Sequence, residues 1–401
     1  MNLLKSTGIV LTVLLLGLSS CKKDDDGEAN DPNNPSGEVQ QSAVQATFNG
    51  AIDLENLLNY SSQPVPNYIN KDNTAGNFIT DAGATLGRVL FYDVNLSVDN
   101  SISCSSCHQQ QHAFSDFAQA SIGVDGTTGR HSMRLINARF ADEVQFFWDE
   151  RAGTLEEQTT MPIQDHIEMG WSGENGDPGF DDLIVKLEDI DYYNELFAFV
   201  YGDAAVTEER IQDALAQFIR SIQSFDSKFD EGMETAPNPN APFLNFTAQE
   251  NEGKNLFIAP PQFDGNSERI GGGLGCQGCH RAPEFDIDPL SLNNGVIGTL
   301  DGGQDLTVTR SPSLRDILKA DGTPNGGFMH TGGLAGLTQV INHYDQIQPN
   351  QVNDDIDPRL TPGGIPQNLN MTADERQALI AFLQTLTGEN VYTDVKWSDP
   401  F

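Results

Sequence analysis

The pentapeptide Cys-x-x-Cys-His occurs twice, as Cys104-Ser105-Ser106-Cys107-His108 and as Cys276-Gln277-Gly278-Cys279-His280. The two copies use four of the 5 cysteines in the chain. In this spacing two thiols can add to the two vinyl groups of one haem, and the adjacent imidazole can reach its iron. The chain is therefore expected to carry two covalent c-type haems, and its fold has to house both. Other chemistries also use cysteine pairs. A redox dithiol needs no histidine, and a zinc site made from two pairs is ordinarily closed by a far shorter loop. Neither explains a histidine directly after the second cysteine in both copies.

The fifth cysteine is Cys21. Residues 1–20 carry Lys5, an apolar run from Gly8 to Leu18, and then Ser19 and Ser20. This is the pattern of a secretory signal whose apolar core is too short to span a bilayer. Leu18-Ser19-Ser20-Cys21 resembles the bacterial lipobox, in which the cysteine is lipidated and becomes the new N-terminus. An ordinary cleaved signal is the alternative, but an unpaired exposed thiol is a liability in an oxidising compartment. Acyl chains on Cys21 would anchor the protein to a membrane that it does not cross. The expected location is the cell envelope, outside the cytoplasm, facing the periplasm or the cell surface. Covalent haem attachment in bacteria also occurs outside the cytoplasm.

Residues 21–45, with Asp24-Asp25-Asp26 and several Asn, Pro and Gly, read as a disordered acidic tether. The run Lys22-Lys23-Asp24-Asp25-Asp26 resembles a surface-export signal of some Gram-negative lineages; a solvated charge run is the other reading. The formal net charge of −36 argues against nucleic acid as a partner and for basic redox partners.

Helical signals dominate the remainder. Thr207 precedes Glu208 and Glu209 and a face of Ile211, Ala214, Leu215, Phe218, Ile219, Ile222 and Phe225. Thr247-x-x-Glu250 is a capping box for a helix ending near Phe257, and Thr372-x-x-Glu375 opens a helix through Leu379, Phe382 and Leu386. A helix around Ala82–Phe91 precedes the first haem motif, as the one after Thr247 precedes the second. Strand patterns are scarce, Thr235–Pro242 reads as a linker, and 264–275 and 293–305 read as loops. The fold class is mainly α: two cytochrome c-like helical domains over 46–235 and 236–401, each with one haem.

Each haem iron takes two axial ligands, of which His108 and His280 supply one each. A catalytic haem leaves the other position open, whereas an electron-transfer haem fills it. The first motif is followed by Ser121-Ile122-Gly123, Phe147-Trp148-Asp149-Glu150-Arg151, Leu155-Glu156-Glu157-Gln158, Pro162 and Ile167-Glu168-Met169. The second is followed by Met329-His330-Thr331-Gly332 and His343-Tyr344. Together these segments, from about Leu86 to Leu386, resemble the bacterial di-haem cytochrome c peroxidases and their relative MauG, which matures a tryptophan-derived quinone.

The resemblance implies that peroxide reacts at the N-terminal haem and electrons enter at the C-terminal one. His108 would be the proximal ligand of the peroxidatic haem, Glu168 its distal acid/base, and Gln158 and Pro162 part of the same pocket. Trp148 would lie between the haems, and His280 would be the proximal ligand of the electron-transfer haem. A surface carboxylate for Glu168 and a core residue for Trp148 are the alternatives without the resemblance.

Three positions depart from the family pattern. Val124 stands where many members carry a distal histidine, so an open, five-coordinate haem is expected; His112, four residues past His108, is a poor substitute. Tyr344 stands where the peroxidases carry a methionine and MauG a tyrosine, so it is the expected sixth ligand at His280, with Met329, His343 and Met371 as alternatives. His131 stands where the family uses an Asn to help bind calcium; a histidine is a poor calcium ligand, leaving backbone carbonyls near Arg310 and Pro312.

The leading expectation is reduction of hydrogen peroxide to water with electrons from a small carrier, a cytochrome c or cupredoxin. A MauG-like oxidase acting on a protein or organic substrate is the second reading, and a lipid-anchored electron relay the third. Family members often dimerise, so a homodimer is among the implied partners.

Overall fold

The computed structural model describes residues 42–142, 145–287, 289–348 and 355–401. The signal sequence, Cys21 and residues 21–41 of the expected tether lie outside the described residues. The chain enters at the helix Ala43–Phe48, whose N-cap Ser42 side chain accepts from the Gln45 backbone N–H. Ordered structure thus begins inside the stretch 21–45 expected to be tether.

The four expected helices, three of them read from their caps, are present as Asp81–Tyr92, Glu208–Ser221, Ala248–Ile258 and Ala373–Gln384. The second stops before Ile222 and Phe225, and the fourth before Leu386, because apolar periodicity continued past the backbone's exit from the helix. The four pack as two crossed pairs, the first with the second and the third with the fourth.

One glycine sets each crossing. A Cβ on Gly87 would lie 1.9 Å from the Ala214 carbonyl oxygen and 2.8 Å from the Phe218 Cβ. A Cβ on Gly253 would lie 1.9 Å from the Ala378 carbonyl oxygen and 2.8 Å from the Phe382 Cβ. The spacing repeats as well. Gly87-x3-Phe91 faces Ala214-x3-Phe218, and Gly253-x3-Phe257 faces Ala378-x3-Phe382, with ring centroids 5.1 and 5.3 Å apart. A buried cation follows each glycine, Arg88 and Lys254. Arg88 donates to the Ser398 carbonyl, and Lys254 to those of Pro239 and Ala241. The expected linker Thr235–Pro242 is therefore pinned through its carbonyls.

Residues 42–401 form one compact unit containing two apolar clusters. The clusters do not follow the 46–235 and 236–401 division. Phe229 and Met233, on the helix Lys228–Thr235, belong to the second cluster, while Val391 and Trp397 belong to the first. Residues 390–401 return to the first half, where the Tyr60 hydroxyl donates to the Lys396 carbonyl and the Tyr92 hydroxyl to that of Trp397.

Sheet is confined to short ribbons among the described residues. Pro261–Phe263 pairs with Arg269–Gly272, so part of the stretch read as loop over 264–275 is a hairpin arm. His280–Arg281 pairs antiparallel with Asp286–Ile287, His280 opposite Ile287 and Arg281 opposite Asp286.

Candidate functional site

At the first motif, Cys104–Cys107 form a single helical turn closed by the His108 N–H donating to the Cys104 carbonyl at 2.9 Å. His108 Nδ1 lies 3.2 Å from the Phe114 carbonyl and 3.2 Å from Ser132 Oγ. Ala113 and Phe114 both take left-handed φ, 54° and 58°, in the turn that brings that carbonyl to the ring. Burial lowers the His108 pKa, which favours the neutral imidazole whose free lone pair suits iron. Cys107 and His108 line a cavity of about 340 Å³ together with Gln158, Pro162, Glu168 and Trp148. A smaller space of about 60 Å³ is lined by Cys104, His108, Gln158, Pro162 and Glu168.

Each residue of Leu155-Glu156-Glu157-Gln158 has its own task on the helix Leu155–Thr160. Leu155 is core, and Glu156 forms an ion pair with the buried Arg220 of Glu208–Ser221. Glu157 accepts from the Gly153 N–H, and Gln158 faces the cavity. Glu168 is placed by a turn in which Asp165 Oδ1 accepts from the Ile167 and Glu168 N–H groups. The Ser121-Ile122-Gly123 turn lies directly on that loop, with the Val124 N–H donating to the Glu168 carbonyl at 3.1 Å. A Cβ on Gly123 would lie 2.1 Å from the Ile167 carbonyl oxygen. Burial raises the Glu168 carboxyl pKa to about 7, Asp165 adding to the shift and Arg151 opposing it. The Val124 side chain lies beside Gly170, where an added Cβ would be 3.1 Å from its Cγ2, and lines neither cavity. His112 stacks on Phe117 with centroids 5.6 Å apart and lines neither cavity.

At the second motif, Cys276–Gly278 form a 3-10 turn, and His280 opens the ribbon that continues to Asp286–Ile287. Burial brings the His280 ring down to about 4, with Arg134 and Arg359 acting in the same direction. The cavity here, about 560 Å³, is lined by Cys276, Cys279, His280 and three of the sixth-ligand candidates, Tyr344, Met329 and Met371. Asn294 Nδ2 donates to the Tyr344 hydroxyl and to Met329 Sδ, both at 3.3 Å. Burial holds the Tyr344 phenol above its ordinary pKa. His343 is set apart: its Nε2 lies 2.9 Å from the Asn294 carbonyl and it does not line the cavity.

Trp148 lines both cavities. Its indole N–H donates to the His131 carbonyl at 2.8 Å, and its own carbonyl accepts from Thr309 and Arg310. The His330 ring stands edge-on at 6.3 Å, and the His330 carbonyl accepts from the His131 N–H. Asp149, next along the chain, pairs with Arg130, which also pairs with Asp305. His131 itself is buried, its Nδ1 against the Ala118 carbonyl, and burial with Arg134 nearby lowers its pKa. The motif reading named His131 and His330 separately and missed Arg130 and the contact of the two histidines beside Trp148, because His131 and His330 lie far apart in sequence.

Residues 81–238 match the family model described as di-haem cytochrome c peroxidase. The chain is 30% identical to the cytochrome c551 peroxidase of Nitrosomonas europaea over 319 residues, 76% of this chain and 80% of that one. The chain belongs to the di-haem cytochrome c peroxidase and MauG family. It is 28% identical to the methylamine utilization protein MauG of Methylophilus methylotrophus, over 78% of this chain and 84% of that one. It is also similar to the crystal structure of a MauG-like protein associated with microbial copper homeostasis, with a TM-score of 0.64 and 26% identity over 84% of this chain and 99% of that one.

As a member of this family, the protein is an oxidoreductase of the peroxidase type with two covalently bound c-type haems. The donor sets fit that cofactor. Cys276, Cys279 and His280 line one cavity, and Cys107 and His108 line another, with Cys104 on the smaller space beside it. Among the described residues no group of three or more His, Cys, Asp or Glu side chains is arranged to hold a metal ion.

Proposed function

We propose that the protein reduces hydrogen peroxide to water at the His108 site, using electrons that a small carrier such as a cytochrome c delivers at the His280 site. One observation carries the reading: Glu168 and Gln158 line the same cavity as Cys107 and His108. The haem held there supplies the iron that binds peroxide and passes on electrons. Glu168, with a pKa of about 7, takes a proton from one peroxide oxygen and returns it to the oxygen that leaves as water. Gln158 donates a hydrogen bond to the charge that develops there. Val124, where many members of the family carry a distal histidine, has no ligating atom and lines neither cavity, so it would leave the side opposite His108 to substrate. Trp148, on the walls of both cavities, carries electrons between them. The paired helices Asp81–Tyr92/Glu208–Ser221 and Ala248–Ile258/Ala373–Gln384 support two cytochrome c-like haem domains.

Steady-state peroxide consumption with reduced cytochrome c tests this reading. Turnover is expected, and peroxide left unconsumed would reject it. One high-spin haem in the spectrum of the oxidised protein is the companion result; two low-spin haems would point to a relay.

A MauG-like oxidation is favoured by Tyr344, which lines the His280 cavity where a phenolate ligand would stabilise ferric iron. Oxidation of a protein substrate by added peroxide without reduced carrier would support it. For location, we infer lipidation of Cys21 and anchoring in the cell envelope; fatty-acid labelling lost in Cys21→Ser tests this.

A further inference from the structure

We propose that Asp142, Lys71 and Asp286 form a proton route from solvent into the cavity at His108. The inference rests on the peroxidase reading, because converting one peroxide to two waters takes up two protons with two electrons (H2O2 + 2 e⁻ + 2 H⁺ → 2 H2O). Glu168 moves a proton between the two peroxide oxygens. It does not by itself bring two more in from solvent.

Asp286 is 2% exposed and sits on the ribbon strand paired with His280–Arg281. Its side chain lines the cavity at His108. The ribbon thus carries the ligand of one site on one strand and a buried carboxylate of the other site's cavity on the next. Asp286 Oδ1 accepts from Lys71 Nζ at 2.9 Å, while Oδ2 is buried with no hydrogen-bond partner. A carboxylate kept only for an ion pair ordinarily has both oxygens satisfied.

On its other side, Lys71 Nζ lies 3.4 Å from Asp142 Oδ2, and the Asp142 side chain is 53% exposed. Two steps, of 3.4 and 2.9 Å, therefore join solvent to the cavity wall. The other charged groups around Asp286 are Glu284, 3.8 Å from Lys71 Nζ, Arg281 opposite it on the ribbon, and Arg134 and Arg310 on the cavity wall. Burial raises Asp286 to about 6, Lys71 opposing the shift and Glu284 adding to it. The group can therefore change protonation near neutrality, as a relay must.

The test compares the holoenzyme with Asp286→Asn, in which the amide oxygen still accepts from Lys71 but passes on no proton. The kcat for peroxide is expected to fall about tenfold or more, with KM unchanged, and to recover when a small weak acid such as formic acid is added. A second readout needs no turnover. In the parent, the midpoint potential of the His108-site haem falls with rising pH by up to about 59 mV per unit, and Asp286→Asn shows a shallower fall, the remainder coming from Glu168 in the same cavity. Asp142→Asn, at the exposed end, should show a smaller kcat loss that the same acid restores.

Parent-like kcat and slope in Asp286→Asn would overturn the proposal. If that variant does not accumulate with both haems, a parent-like kcat and slope in Asp142→Asn overturn it instead. A parent that consumes no peroxide rejects the peroxidase reading, whereas the slope still judges Asp286.

Discussion

Around His108 the cavity wall presents a carboxylate and an amide, Glu168 and Gln158; around His280 it presents a phenol and two thioethers, Tyr344, Met329 and Met371. The helices behind the two walls cross at matching close approaches, Gly87 against Ala214 in one half and Gly253 against Ala378 in the other. The repeated scaffold builds a place for a haem twice, and the loops that close each cavity decide what that haem does. In the first half those loops run through Val124 and Glu168, which are joined by a backbone hydrogen bond. In the second, Asn294 donates to both Tyr344 and Met329.

The sharpest break in this contrast is Glu168→Gln. Peroxide turnover should fall by about 10²–10⁴-fold, and the parent's rise in rate through about pH 7, as Glu168 ionises, should disappear. The His280-site spectrum should not change. Turnover kept in Glu168→Gln but lost in Tyr344→Phe would reverse the two roles.

Next in size are the helix crossings. Gly87→Ala and Gly253→Ala should each destabilise their half by about 1–3 kcal/mol or more through overpacking against a backbone carbonyl. Thermal unfolding followed at each haem's absorption would read this, and unequal losses would mean that the halves are less alike than their glycines suggest.

A smaller change is expected from Tyr344→Phe: an altered low-spin spectrum at the His280 site, with the high-spin site unaffected. An unchanged spectrum would transfer the ligand assignment to Met329 or Met371.

The smallest effect is on stability. The folded pKa of Glu168, about 7, lies above its ordinary value of 4.5, so the fold prefers the protonated acid. Its contribution is complete below about pH 4.5 and is lost as pH rises through about 7. Denaturant unfolding should find Glu168→Gln gaining on the parent between pH 5 and 8, and no gain would mean that the acid is less buried than described.

Three of the four principal helices were legible from a Thr cap, with Thr247 and Thr372 forming full capping boxes, and the fourth, Asp81–Tyr92, carries a Thr80 cap that the sequence reading did not use. The helices Phe180–Glu188 and Asp191–Tyr201 escaped notice because Gly179 and Ile190 at their N-caps give no side-chain cap. The hairpin arm Arg269–Gly272 reads as a loop because its glycines carry no strand pattern. Within the site, the short motifs delivered Glu168, Gln158 and Trp148 to cavity walls. Asp286 was silent, since nothing local distinguishes an acid that answers a lysine more than two hundred residues earlier. The return of Trp397 to the first half was equally silent, being a long-range contact with no periodic signal.

That return has a consequence in time. A ribosome finishes residues 81–221 long before it reaches Val391 and Trp397, which complete the same apolar cluster. The nascent first half therefore waits with part of its interior uncovered, and so does its haem-binding motif. The segment that carries Val391 and Trp397 closes that cluster like a latch. Removing residues 390–401 should accordingly leave the second, later-made half the better folded of the two.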